Sequence, residues 1–169
     1  GSISASMVKN MIGFAPGTDR MLPEWKQVVA YFHALEKASP RIQVHTLGKT
    51  TLGRPFLAAY IADSATIANL AHYRDIQRLL SDPRLTTPGQ VTKLQVDGKL
   101  VILVTSSIHS TEVGGILTPM VLAQKLMGDE DDNTRSIRRN TIVILVGLGE
   151  TALRITGTAN VLRFSNVVN

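Results

Sequence analysis

The sequence predicts an α/β fold, a mixed β-sheet with helices on both faces, because two continuous apolar runs alternate with segments of helical periodicity. The apolar runs span residues 99–105 and 141–146, and each has the length of a strand. Two shorter β-like runs come before them and predict an antiparallel hairpin. The 169 residues, of which 44% are hydrophobic and 18% charged, are enough to bury one core.

The first predicted elements are a helix and the hairpin. Apolar residues recur at helical spacing between Pro23, which suits the first helical position, and Pro40, which ends the pattern. Residues 42–46 then alternate between apolar and polar, and residues 55–62 form a second β-like run. Glycines between the two runs favour a turn, so this segment predicts two paired strands.

A second helix is predicted between Ile67 and Leu80, where apolar residues again recur at helical spacing. The Asp-Pro pair at residues 82–83 ends it. Residues 86–89 are rich in threonine, proline and glycine and predict a loop.

The apolar run 99–105 has no polar residue between Leu100 and Val104 and predicts a strand buried on both faces. Helical spacing returns over residues 113–127, and the second apolar run, 141–146, follows. Two such strands with helices between and after them favour an α/β sheet with helices on both faces.

The net charge of +5 raises the question of an anionic partner, so the distribution of the charge matters. The one tight basic cluster, Arg135, Arg138 and Arg139, directly follows four acidic residues at 129–132. Because these opposite charges lie close together in the sequence and largely cancel, they predict a solvated helix end. The few aromatic residues do not interleave with the basic ones, as a surface that stacks on bases would require. The sequence therefore argues against a nucleic-acid partner.

Cysteine is absent, which excludes disulfides, thiolate zinc sites and cysteine nucleophiles. No stretch approaches the roughly 18–20 apolar residues of a membrane span. The N-terminus also lacks the apolar core of a signal peptide.

The chemistry-bearing residues are His109 and Glu112, which follow the first apolar strand and precede a predicted helix. Imidazole nitrogen and carboxylate oxygen are good zinc ligands, and a spacing of three at a helix start can direct both to one point. The alternative is that Glu112 binds no metal and that its carboxylate only interacts favourably with the helix dipole. Gly114 and Gly115 predict a close approach of the backbone to its neighbours.

Three stretches resemble the zinc carboxypeptidase family in the same order along the chain. They are Ile12 to Arg20, which resembles a bacterial exported branch, Val44 to Pro55, and Ile108 to Gly115, which contains the family's His-x-x-Glu metal motif. The resemblance covers roughly residues 10–146. The ordered series is more specific than the metal motif alone.

The resemblance implies that His109 and Glu112 are zinc ligands, with Glu112 bidentate, and that the substrate is a peptide or protein cleaved at its C-terminus. A general-base glutamate, a third ligand histidine and a carboxylate clamp are expected in the family, and none can be matched here. The exported branch implies a secreted or periplasmic location.

The resemblance ends abruptly after Val146. Family members continue through an Asn-Pro-Asp-Gly turn, whereas this chain continues from Gly147 to Ala152 as Gly-Leu-Gly-Glu-Thr-Ala. No histidine follows His109, and no acidic residue follows Glu150. These observations predict a fold that is incomplete at its C-terminus, through truncation or a shifted reading frame.

The predicted organisation is therefore a lead segment at 1–22, the N-terminal part of a zinc carboxypeptidase-like domain at 23–146, and a divergent tail at 147–169. An incomplete sheet would expose an edge and apolar surface, so a non-catalytic fragment that self-associates is the main alternative. Gly147 to Ala152 also fits a dinucleotide fingerprint, although no acidic residue follows to bind a ribose.

The remaining histidines are His33, His45 and His72. His33 on a helix and His45 in a hairpin strand are predicted to be ordinary surface or boundary residues. If any of the three were the third metal ligand, it would occupy a position in the sequence that the family does not use for a ligand.

Overall fold

A computed structural model describes residues 6–50, 52–107 and 113–147. This part of the chain forms one four-stranded sheet with helices packed on it, as the sequence predicts. The helices are α1 (Met7–Ile12), α2 (Trp25–Ala38), α3 (Ser64–Ala68), α4 (Leu70–Ser81), α5 (Pro88–Asp97), α6 (Val113–Gly128) and α7 (Asp132–Asn140). The strands are β1 (Ile42–Lys49), β2 (Pro55–Ile61), β3 (Leu100–Ser106) and β4 (Thr141–Gly147).

The sheet is mixed, with the strand order β1-β2-β4-β3. β1 and β2 form the predicted antiparallel hairpin, and β2 pairs with β4 in antiparallel fashion. β3 and β4 run parallel, in a register that joins Leu100 to Thr141 and Ser106 to Gly147. The two carboxyl ends of this parallel pair therefore lie side by side.

Helices cover both faces of the sheet, because alternate residues of each strand point to opposite sides. On one face α1, α2 and α6 share a core with residues of β1, β2 and β4, among them Ile42, Ile61 and Leu145. On the other face Leu70 of α4 packs with residues of β2 and β4, among them Tyr60. The predicted fold class is thus confirmed.

α2 begins two residues later than the sequence predicts. The side chain of Gln27 accepts a hydrogen bond from the backbone N–H of Glu24 at 2.8 Å, so Glu24 caps the helix and Pro23 precedes the cap. At the centre of α2, the hydroxyl of Tyr31 donates to the carbonyl of Met120 in α6 at 2.8 Å. Burial raises the pKa of Tyr31, and the hydrogen bond from its hydroxyl links the two helices.

The loop predicted at residues 86–89 is wrong, because α5 begins inside it. Pro88 occupies the first turn of α5, where its missing N–H costs nothing. Thr87 caps the helix, since its hydroxyl accepts from the N–H of Gln90 and its own N–H donates to the Gln90 side chain at 2.8 Å. The sequence signal was this capping box, Thr-x-x-Gln with proline between.

β3 is present as predicted, but its burial on both faces is wrong. β3 is at the edge of the sheet, and three of its apolar residues are exposed: Leu100 (63%), Ile102 (39%) and Leu103 (43%). β4, with a similar apolar sequence, lies between two strands and is buried from Ile142 to Val146. An apolar run identifies a strand, whereas its neighbours decide whether it is covered.

The basic cluster is only partly solvated, which corrects the prediction for Arg138. Its guanidinium is buried in α7 and donates to the carbonyls of Leu126 and Asp129, both at 2.7 Å, and to the carboxylate of Glu130 at 2.8 Å. A hydrogen bond from Arg41 and the charge of Arg138 hold the pKa of Glu130 below its ordinary value. Arg138 therefore joins the end of α6 to α7.

Within the described ranges, no helix is both long and apolar enough to cross a membrane.

Candidate active site

The candidate site lies at the carboxyl edge of the parallel strands. β3 ends at Ser106, beside Gly147 at the end of β4, and Gly147 also pairs with Leu57 of β2. Residues 108–112 join this edge to α6, and they lie outside the described residues. His109 and Glu112 therefore stay sequence predictions, although the elements on both sides of them are described.

The chain leaves β3 through Ser107, which has a left-handed backbone conformation with φ of 60°. A non-glycine residue in this region is uncommon and strained, and such residues cluster at functional sites. Ser107 is 4% exposed, and its Oγ has no hydrogen-bond partner among the described residues. Within the described ranges, a buried hydroxyl without a hydrogen-bond partner thus lies two residues before His109 in the sequence.

On the far side of residues 108–112, α6 begins at Val113 and runs for 16 residues. The first N–H groups of a helix carry partial positive charge, which favours a carboxylate such as that of Glu112 nearby. The close approach predicted at Gly114 is wrong for the described part of the chain, because a Cβ there would meet no described atom within 4 Å.

Trp25, at the start of α2, packs against the same carboxyl edge of the sheet. Its indole N–H donates to the carbonyl of Pro55 at 3.0 Å, which ties the start of α2 to the start of β2. A Cβ on residue 147 would lie 3.0 Å from Cη2 of Trp25, so Gly147 lets the ring pack directly on the end of β4.

A pocket of 510 Å³ opens next to this tryptophan. Ile116, in the first turn of α6, forms part of its wall, and Arg54 comes from the turn that precedes β2. The pocket has apolar walls and charged side chains around them. Its lining residues are Pro23, Glu24, Trp25, Lys26, Arg54 and Ile116.

Comparison with known families identifies the chain. The family model described as zinc carboxypeptidase matches residues 28–148, which is more than half of the sequence. The chain belongs to the zinc carboxypeptidase family. The match includes β3, α6 and the intervening residues 108–112, so the predicted resemblance to the family is confirmed.

The fold agrees with that of a solved carboxypeptidase. The crystal structure of carboxypeptidase A from Helicoverpa armigera matches with a TM-score of 0.52 at 15% sequence identity. The match covers 83% of this chain and 30% of the carboxypeptidase A chain. No curated protein matches the sequence significantly.

The other histidines of this zinc carboxypeptidase domain lie on α2, β1 and α4. His33 in α2 is 3.3 Å from the carboxylate of Glu36, and His72 is exposed on α4. The ring of His45 lies edge-on to Tyr60, with 5.1 Å between centroids. His33 and His45 are partly buried, as predicted for boundary residues.

The described ranges contain no group of three or more histidine, cysteine, aspartate or glutamate side chains placed to hold a metal ion. His109 and Glu112 lie outside those ranges, so this observation does not bear on them. Of the dinucleotide-like motif, only Gly147 is described, and the rest of it stays a prediction. The domain limits at residues 22 and 146 likewise stay predictions.

Sequence reasoning missed the pocket beside Trp25. It assigned Trp25 to a helix because of its spacing, and Arg54 belonged to a stretch quoted only for its family resemblance. Three separate segments contribute the walls, so no local pattern could have revealed them.

Proposed function

We propose that this chain carries part of a zinc metallocarboxypeptidase centre that acts on peptides, with His109 and Glu112 as metal ligands. The observation that carries this proposal is the family match across residues 28–148, which includes both residues. Support also comes from the position of residues 108–112 between the carboxyl end of a parallel strand and the start of α6, the part of an open α/β sheet where ligands bind.

The neighbouring groups fit a polar site. Among the described residues the buried hydroxyl of Ser107, two positions before His109 in the sequence, has no hydrogen-bond partner, and the start of α6 favours the negative charge of Glu112. Zinc bound there would polarise a peptide carbonyl and activate a water molecule. His109 and Glu112 are two ligands, whereas catalytic zinc takes three from the protein. Activity of this chain alone is therefore a separate question from its family.

Replacing His109 with alanine is expected to weaken zinc binding by more than about 100-fold, because even the loss of an outer-shell partner costs about 10–100-fold. Calorimetric titration of zinc into the wild type and His109→Ala measures the effect. His72→Ala is the matched control, since His72 is an exposed histidine on α4 and its loss should leave the affinity unchanged.

Carboxypeptidase turnover should be assayed in the same samples. Zinc binding that depends on His109, without turnover, would support a real two-ligand site. Equal zinc affinity in the wild type and His109→Ala would rule out His109 as a ligand. Turnover by the wild type would show that this chain holds a complete catalytic set.

We also propose a second role, self-association through β3. Within the described ranges β3 has no neighbouring strand on one side, and this edge and its exposed apolar side chains favour the role, because unpaired strand edges invite pairing with another chain. The proposed occupant is a second copy of the chain, since two identical strands that pair in antiparallel fashion satisfy twofold symmetry.

Sedimentation velocity over a range of protein concentrations tests this pairing. The wild type should form dimers as the concentration rises, and Leu103→Lys should stay monomeric because the lysine charge opposes pairing. Leu85→Lys is the control, since Leu85 has a similar exposed fraction, 47%, and lies outside the sheet. A wild type that stays monomeric throughout, or a Leu103→Lys variant that still forms dimers, contradicts the proposal.

A further inference from the structure

We infer that a small pocket at the end of α7 binds a phosphate group through arginine side chains. The pocket has a volume of 180 Å³ and is formed by the start of β1, the residues after β2, and α7 with the residues before it. Its charged lining residues, within the described part of the chain, are Arg41, Asp63, Glu130, Arg135, Arg138 and Arg139. We call it the arginine pocket.

Backbone hydrogen bonds hold the segments of the arginine pocket together. The N–H of Asp63 donates to the carbonyl of Arg138 at 3.0 Å, and the N–H of Ala62 donates to that of Arg41 at 3.1 Å. α7 ends where β4 begins, so the pocket lies about 20 Å along β4 from Gly147. It is therefore preformed, and it lies at the opposite edge of the sheet from the candidate metal site.

Glu130, one of the two carboxylates of the pocket, is shared by two arginines. It accepts hydrogen bonds from the guanidinium groups of Arg41 and Arg138. Arg138 is 4% exposed and also donates to two backbone carbonyls, so its position is fixed. Two positive charges and one negative charge leave one positive charge in this half of the pocket.

Asp63, the other carboxylate, lies near two cations as well. The ammonium of Lys99 donates to the backbone carbonyl of Arg139, which brings these two residues together. Burial alone would raise the pKa of Asp63, but hydrogen bonds from Thr66 hold it below its ordinary value. The charges of Lys99 and Arg139 lower it further. This half of the pocket therefore also keeps one positive charge.

The fourth arginine of the lining adds no net charge. Arg135 lies 2.7 Å from the carboxylate of Asp132, so these two charges cancel. Asp131 lies at the first end of α7, where its carboxylate accepts from Thr134, and it does not line the pocket. Counted together with these partners, the arginine pocket has an excess of two positive charges, which matches a dianion.

The size of the pocket also favours a phosphate group. A volume of 180 Å³ is below the usual range of about 300–1,000 Å³ for small-molecule sites. It equals the share of about six water molecules in the liquid, enough for one tetrahedral anion and part of its hydration. A phosphate carries about −1.5 to −2 charges at pH 7, and guanidinium groups bind it through parallel hydrogen bonds.

Two-dimensional ¹H–¹⁵N NMR of the chain tests this site, because the amide signals of Asp63 and Ser64 report on the pocket directly. Metal is removed beforehand so that phosphate cannot bind to zinc. Inorganic phosphate, phenyl phosphate and acetate are titrated at constant ionic strength, with sodium chloride as the balancing salt.

We expect saturable shifts of these signals, with a Kd of about 1 mM for phosphate. Acetate, which carries one charge, should bind about tenfold more weakly or not at all. Tighter binding of phenyl phosphate supports a phosphate group on a larger molecule, whereas tighter binding of inorganic phosphate supports the free ion. Shifts that do not saturate, or an equal affinity for acetate, would overturn the inference.

Arg139→Gln should weaken phosphate binding about tenfold, because it removes one of the two excess charges. Arg78→Gln is the matched control, since Arg78 is likewise an exposed arginine in the last turn of a helix, α4, and does not line the pocket. Equal affinities of these two variants for phosphate would contradict the inference.

Glu130→Gln should have the opposite effect and strengthen phosphate binding about fivefold, because it removes a negative charge from the pocket. The amide signals of the sheet show whether each variant keeps its fold. If folded Glu130→Gln binds phosphate more weakly than the wild type, the arginines serve the fold alone and the inference is wrong.

Discussion

Replacing Arg138 with methionine is expected to lower the free energy of unfolding by about 3 kcal/mol, because two carbonyls, one of them buried, lose a charged hydrogen-bond donor. These carbonyls belong to Leu126 and Asp129, each 2.7 Å from the guanidinium. Glu130, the third partner, is about half exposed and would be rehydrated, so it adds little to the loss. Chemical denaturation of the wild type and the variant measures the difference.

The matched control is Arg139→Met, one residue further along α7. The side chain of Arg139 is exposed, so this change should stay within about 0.5 kcal/mol. Arg138→Lys should fall between the two, because an ammonium cannot reproduce the fork of the guanidinium. Equal losses for Arg138→Met and Arg139→Met would refute the structural role of Arg138.

The second prediction with a large effect compares leucine-to-alanine substitutions on two neighbouring strands, β4 and β3. Leu145→Ala is expected to cost about 3–4 kcal/mol, because it removes a fully packed side chain and leaves a cavity in the core. Leu103→Ala should cost about 1 kcal/mol, because that side chain keeps much of its contact with water. The exposed fractions behind this contrast are 2% for Leu145 and 43% for Leu103.

Thermal and chemical unfolding at low protein concentration measure both variants. If Leu103→Ala proves as costly as Leu145→Ala under these conditions, β3 is covered within a single chain and the exposed edge is wrong. If the cost at Leu103 grows with protein concentration, the side chain is buried by association. The pair of leucines thus links the stability of the sheet to the proposed self-association.

The order of the elements could be predicted well from the sequence. The helical period between Pro23 and Pro40 anticipated α2, and the two apolar runs anticipated β3 and β4, because periodicity reports which side chains must avoid water. The family also followed from ordered stretches of sequence, which the family match over residues 28–148 confirms. The sequence analysis did not predict α5, although Thr87 and Gln90 have the spacing of a capping box.

The candidate site was predictable in part. Sequence pattern alone directs attention to His109 and Glu112, and these ligands stay a prediction. The structure adds the buried hydroxyl of Ser107, the position of Trp25 against Gly147 and the pocket with Arg54. These features form where segments that are distant in the sequence come together, so no residue spacing along the chain predicts them.

The sequence by itself determined the fold class and the family, and it predicts the two residues most suited to bind a metal, since each of these depends on residue type and local spacing. Only the tertiary structure decided that the apolar strand β3 lies at an edge while β4 lies in the core. It also decided that Arg138, within a charged run, is buried between two helices. Hydrophobicity and charge describe what a residue prefers, whereas burial depends on which neighbours the fold brings to it.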